Sequence, residues 1–250
     1  MKHTLPLAFV ALLFVASCKQ DDEEPPAPTP VPTTGTIQMS FAFTSGNDPF
    51  SMSATYQDGA GNNIRFDAIK FYVSDIHLSD ADENEVAHFQ ETVLLVDASA
   101  ASNVFALGAI NPVSVHEARI ALGLDSALNH ADPAQADPPL NEPGMHWSWN
   151  TAAGYKFLLM EGLIDGNDDG DFDDTEDVPF IYHCATDDLL RETEVHIHAN
   201  VAAGSTSTLA AKVDVSVLIG GLNMLANPVA MGGGANNIIA MDSLGVAIHE

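Results

Sequence analysis

Glu194-Val-His-Ile-His-Ala-Asn-Val201 carries an apolar side chain at every second position. A period of two places one set of side chains on each face of an extended strand, so this stretch predicts a half-buried β-strand. The same alternation runs through Ile37-Gln-Met-Ser-Phe-Ala-Phe43 and Leu209 to Val217, and in broken form from Phe66 to Leu78. Clusters of glycine, asparagine and aspartate separate these runs, as turns between strands require. Helical signals are confined to a short turn at Glu91 to Ala101 and to residues 219–226. The expected fold is therefore all-β, an antiparallel β-sandwich with long loops. The segment from Asp125 to Met145 is a loop of a length that usually binds something.

The chain has 250 residues and a formal charge of −27, with 8 lysines and arginines against 35 aspartates and glutamates. That balance disfavours nucleic acid as a partner and favours cations. No internal Pro/Gly/Ser-rich linker divides the chain after Gly35, so residues 35–250 are expected to form one β domain. Lys2 followed by Leu5-Pro-Leu-Ala-Phe-Val-Ala-Leu-Leu-Phe-Val-Ala-Ser17 has the form of a signal peptide, too short to span a membrane. Val15-Ala16-Ser17-Cys18 resembles the lipobox of bacterial lipoproteins. By that resemblance residues 1–17 are removed, Cys18 is lipidated and the protein is held on a membrane by its lipid. Residues 18–34 are rich in acids, proline and threonine and predict an extended, disordered tether. The acids just after Cys18 resemble the export signal of surface lipoproteins in Bacteroidetes-type bacteria. An outer-membrane location is expected, facing the periplasm or the cell surface. Cys184 is then the one remaining cysteine and has no intramolecular disulfide partner.

The richest chemistry lies between Gly144 and His183, which contains both tryptophans. Asp165-Gly-Asn-Asp-Asp-Gly-Asp-Phe-Asp-Asp-Thr-Glu176 matches the calcium-loop pattern D-x-[DN]-x-[DN]-G-x5-E. Calcium takes hard oxygens, and Asp165, Asn167 and Asp169 can turn theirs inward. Asp171 would add its carbonyl, Asp173 a direct or water-mediated contact, and Glu176 both carboxylate oxygens. Gly170 permits the bend and Phe172 would pack the loop on the body. The flanks look like strands, so a calcium-stapled connection between strands is expected, not an EF-hand. A solvated acidic turn is the bland alternative.

Gly144-Met-His-Trp-Ser-Trp-Asn150, Leu128-Asn-His-Ala-Asp-Pro133, Gly154-Tyr-Lys-Phe157, Phe180 to His183, Phe71 to Leu78 and Gly123-Leu-Asp-Ser126 together resemble the MbnP-like family of copper-binding proteins. The resemblance implies a secreted or lipid-anchored protein, often associated with a di-haem peroxidase-type partner. It also implies a copper site in which a tryptophan is oxidised to kynurenine and joins histidines. By position Trp147 is the first candidate for that modification and Trp149 the second. His183 matches the family histidine, His146 stands where many members carry an aromatic residue, and His130 is a further candidate in the long loop. Imidazole suits copper, and Met145, Met160 or Cys184 nearby would favour the cuprous state. Read from residue type alone, the two tryptophans fill core with their indole N–H groups bonded. His196 and His198 share a strand face at i and i+2 and are either metal ligands or half-exposed sheet residues. Nothing in the sequence distinguishes His77, His88, His116 or His249.

No G-x-S-x-G, H-E-x-x-H, phosphate-binding glycine loop or dinucleotide fingerprint is present, so no catalytic activity is expected. His183 and Cys184 are adjacent on a strand and point to opposite faces, which argues against a nucleophile–base pair. The expected function is copper acquisition, buffering or handover, with calcium stabilising a loop. The rivals are a calcium-stabilised adhesion or interaction module without copper and, behind it, a redox enzyme using copper for oxygen chemistry.

Overall fold

The computed structural model describes residues 31–147 and 153–250. Cys18, the leader and most of the tether lie outside the described residues, and so does Trp149. In chain order the strands are β1 (Gly35–Ser45), β2 (Asp48–Pro49), β3 (Tyr56–Gln57), β4 (Asn63–Ser79), β5 (Glu85–Asp97), β6 (Val104–Ile110) and β7 (Val113–Leu122). After the short helix α1 (Ser126–Asn129) come β8 (Lys156–Ile164), β9 (Val178–Ala185), β10 (Arg191–Val201) and β11 (Thr206–Asp214). The chain finishes with α2 (Val215–Ile219), β12 (Val229–Gly232), α3 (Ala235–Ala247) and β13 (Ile248–His249).

The strands form an all-β sandwich of two sheets. The smaller runs β13-β11-β1-β2 with β6 also on β1, and the larger runs β10-β7-β4-β8-β9-β12 with β3 and β5 also on β4. Most neighbours are antiparallel. Two pairings, β1 with β11 and β9 with β12, run parallel, so the sheets are mixed and not purely antiparallel. The sheets meet through aromatic side chains. Phe41 and Phe43 of β1 approach Phe71 of β4 with ring centroids 6.1 and 6.3 Å apart, both edge-on. Edge-on pairs of this kind add about 0.5–1.5 kcal/mol each beyond the area they bury. In β10, Val195, Ile197 and Val201 are buried while His196 and His198 face outward, as the alternation predicts.

β4 is the spine of the larger sheet. One of its edges is paired with β8 along Ile64–Phe71 and then with β7 along Val73–Ser79. The change of partner falls at Tyr72, whose carbonyl accepts the Gly123 N–H at 3.0 Å. Gly123 has φ +113° and lies against the Phe157 ring, so a side chain there would be both strained and blocked.

Three local expectations differ from the structure. Glu91 to Ala101 is not a helical turn; most of it is strand within β5. The Leu209 strand ends at Asp214, whose carboxylate accepts the Ser216 N–H at 2.9 Å and caps α2, so the helix begins earlier than residue 219. α3 has no counterpart in the sequence reading. It buries Asn237, Ala240, Met241, Leu244 and Ala247 against the sheets while Ile238 and Val246 remain exposed.

Candidate metal centre

β8 and β9 are antiparallel neighbours, with Leu159 opposite His183 and Glu161 opposite Ile181. Glu161 is thus diagonal to His183 on the same face. Its Oε1 lies 2.6 Å from His183 Nε2. The other ring nitrogen, Nδ1, is buried and has no hydrogen-bond partner. The Trp147 indole completes the arrangement in an edge-to-face contact, its centroid 5.4 Å from that of His183 at 63°. Lys156 places Nζ 4.9 Å from the Trp147 ring centroid and donates to the Gly144 carbonyl at 2.7 Å. From the other side, Asn237 of α3 donates to the His183 carbonyl at 3.0 Å and to Gly232 at 2.7 Å, tying β9 to β12.

The electrostatics favour a neutral imidazole. Burial pushes the His183 pKa below its ordinary value, the Lys156 ammonium adds to this, and Glu161 opposes it without reversing it. Burial also lowers the Lys156 ammonium despite the Glu161 charge. With Glu161 accepting from Nε2–H, the lone pair of His183 sits on Nδ1, the atom without a partner. A carboxylate behind one ring nitrogen and a free lone pair on the other is the usual arrangement of a metal-binding histidine.

The remaining predicted copper ligands are placed differently. His146 forms a bridge with Tyr155, stands 6.1 Å edge-on to its ring, and keeps Nδ1 buried without a partner. His130 turns to Asp187, with Nε2 3.2 Å from Oδ1. Among the described residues, no group of three His, Cys, Asp or Glu donor atoms converges at His183. The soft ligands expected from sequence proximity are also displaced. Met160 is opposite Tyr182 and Cys184 opposite Leu158, so both lie on the face turned away from His183, fully buried. Burial pushes the Cys184 thiol far up, which disfavours the thiolate. The thioether that does share the His183 face by register is Met231 of β12.

The long loop docks on the start of β8 through Asn129. This fully buried side chain accepts the Tyr155 N–H at 2.7 Å and donates to Asp187 at 2.6 Å. Gly154, at φ +76°, passes so close to Asn129 that a Cβ would collide with its amide. Glu161, Lys156, Asn129 and Asn237 were not visible as site residues in the sequence, because each is an ordinary polar residue until the strand register brings it to the centre.

The acidic loop spans the turn between β8 and β9, as its strand-like flanks predict. Asp165 is 4 % exposed; its Oδ2 accepts the Gly170 N–H at 2.9 Å and Oδ1 that of Asp169 at 3.2 Å. Burial pushes the Asp165 carboxyl up, but these bonds and those from Asp168 and Asn63 outweigh it and hold the carboxyl below the ordinary value. Asp168 and Gly170 have φ +60° and +90°. Phe172 is buried as expected, with the Arg65 guanidinium 4.9 Å from its ring centroid. Carboxylate oxygens of Asp169, Asp171 and Asp174 lie within 4.8 Å of one another. The Asp173 N–H favours the Asp171 carboxylate, yet desolvation and the charges of Asp169, Asp173 and Asp174 together push it up. Asn167 donates to Asp169 and Asp174 at 3.0 and 3.1 Å, and Glu176 accepts from Thr175 at 2.9 Å. Asp174, not Asp173, completes the carboxylate triplet.

His196 and His198 do not converge. His198 Nδ1 is 3.0 Å from Glu250 and His196 Nδ1 is 3.5 Å from Glu117.

The family model described as MbnP matches residues 34–237 of this chain. Among solved structures, MbnP from Methylosinus trichosporium is similar at a TM-score of 0.53 and 16 % identity, covering 81 % of this chain and 82 % of that one. At that identity the likeness shows the fold. No curated protein matches the sequence significantly.

Proposed function

This chain belongs to the MbnP family, and on that premise we propose that it is a lipid-anchored, extracytoplasmic copper-binding protein of copper acquisition, buffering or handover. The observation that carries the reading is the buried, partnerless Nδ1 of His183 beside the Trp147 ring. Desolvated lone pairs are costly unless something is bound to them. An imidazole kept neutral by burial suits a borderline or soft ion such as copper. His183 would hold the ion through Nδ1 while Glu161 fixes the ring. Trp147 offers no lone pair as an indole. Oxidised to kynurenine, it would supply an amine and a carbonyl. Met231, half-exposed and on the same face by register, would add a thioether that favours the cuprous state. His146, whose Nδ1 is likewise buried and partnerless, is the nearest further imidazole in sequence to Trp147.

We propose calcium for the acidic loop on separate grounds. The crowding of Asp169, Asp171 and Asp174, and the upward push on Asp171, are what a loop shaped around a dication shows when like charges face one another. The chain's part in copper handling is binding, without chemistry of its own, and a di-haem peroxidase-type protein is the partner that would oxidise Trp147. Intact mass and elemental analysis of protein taken from its native cell envelope test these points together. Lipid on Cys18, one copper and bound calcium are expected. Sub-stoichiometric copper after full metal loading would instead favour a calcium-stabilised interaction module.

A further inference from the structure

The structure assigns a second metal centre to this chain: Asp75, His77 and His88, on the outward face of β4 and β5, form a site for a divalent transition ion of the zinc and copper(II) class. These residues are unremarkable in sequence and meet only through strand register. His77 lies directly opposite His88 in the β4–β5 pair. Their rings stack with centroids 3.7 Å apart and planes 17° from parallel.

Both rings turn Nε2 to the same carboxylate oxygen. His88 Nε2 is 2.6 Å and His77 Nε2 3.4 Å from Asp75 Oδ1, and the three donor atoms lie within 4.8 Å of one another. An ion bonded to nitrogen at about 2.0–2.1 Å needs donors that close together. Behind them, His77 Nδ1 is 2.6 Å from Glu85 Oε2. With Nδ1–H donated to Glu85, the lone pair of His77 falls on Nε2, the atom facing Asp75 and His88. Asp75 stands at a bulge, where the β4 register shifts against both β5 and β7, and has φ +46°. A non-glycine residue held in the left-handed region is uncommon and collects at functional positions. Arg119, paired in register with His77 on β7, is bonded to Glu192 at 3.2 Å. Two imidazoles and one carboxylate on an open sheet face leave a position for water or a ligand from a partner, unlike a closed structural site.

Cobalt(II) is the probe, because its visible absorption reports low coordination number and nitrogen ligation. Metal-free full chain carrying His183→Ala is titrated with cobalt(II) in excess calcium, which keeps both the Trp147–His183 centre and the acidic loop out of the measurement. One equivalent should bind with an absorption that zinc displaces. His77→Ala and His88→Ala should each abolish that absorption, and Glu85→Gln should weaken binding by about 10–100-fold. Glu85 and His88 are exposed and His77 is half-buried, so circular dichroism should show each variant folded. Absence of a zinc-displaceable absorption in the His183→Ala protein, or cobalt binding by folded His88→Ala like that of its parent, would leave these residues as surface ion pairs and overturn the assignment.

Discussion

Glu161 Oε1 lies 2.6 Å from Nε2 of His183, a histidine whose other ring nitrogen is buried and without a partner. The carboxylate fixes the tautomer and ring angle, and through them the direction of the free lone pair. Glu161→Gln keeps the shape but loses the charge. It should lower copper affinity by about 10–100-fold without changing stoichiometry, whereas His183→Ala should remove the site. Competition titration against a copper chelator separates the two outcomes. Equal affinity in Glu161→Gln and wild type would remove Glu161 from the centre.

The pH dependence of stability follows from the same histidine. Burial lowers its pKa in the folded protein, so the unfolded chain binds the proton more readily. The contribution of His183 is fully present above the unfolded value, about 6.5, and is lost as the pH falls through the lower folded value. Urea unfolding of metal-free wild type should therefore show stability falling below about pH 6.5, and His183→Gln should show a shallower fall. A steeper fall in the variant would contradict the desolvated environment.

Calcium removal is expected to destabilise the fold through the β8–β9 connection. A ligand at 100 times its Kd that binds only the folded state adds about 2.7 kcal/mol. For a domain of this size each kcal/mol moves Tm by about 2–4 °C. Chelation of copper-free protein should lower Tm accordingly, and Asp165→Ala or Asp174→Ala should blunt the response. Asp174 is the informative variant, because the loop pattern assigns position nine to Asp173 while the structure gathers Asp174 with Asp169 and Asp171. A Tm indifferent to chelator would make the loop a solvated turn.

Much of the fold is legible in local periodicity, and little of the site is. Val195, Ile197 and Val201 alternate with polar residues, and β10 results. β5 is obscured because its pairing with β4 shifts register at Asp75, so alternation breaks within Glu91 to Ala101. α3 is hidden because Ile238, Ile239 and Val246 leave apolar side chains on its outer side, blurring the 3.6-residue period. The parallel pairing of β1 with β11 joins segments at opposite ends of the domain, beyond any local signal. His183 stands out as a residue type suited to metal chemistry and Trp147 through the family resemblance, and they do meet. Glu161 and Lys156 carry no such mark, since a charged residue in a strand is ordinary until register sets it beside an imidazole. For the same reason His77 and His88 form their pair only in three dimensions.

Trp147 gives the strongest test of the copper reading. The residue is 8 % exposed, with its ring against the His183 imidazole and the Lys156 ammonium. An indole in that place packs well and draws the cation to its face, but it has no lone pair to give a metal. Conversion to kynurenine gains one oxygen and loses one carbon. It opens the five-membered ring, weakens the attraction for Lys156 and creates an amine and a ketone beside His183. Copper affinity should then depend on the modification. Peptide mapping of native protein should find that mass change at Trp147, and protein made without its oxidising partner should carry intact Trp147 and bind copper weakly. Trp147→Phe keeps an aromatic ring and should cost less than the about 3–5 kcal/mol of truncating a buried aromatic to alanine. It should nevertheless bind copper as weakly as unmodified protein. Intact Trp147 in native protein that binds copper fully, together with wild-type affinity in Trp147→Phe, would leave the indole as packing beside His183.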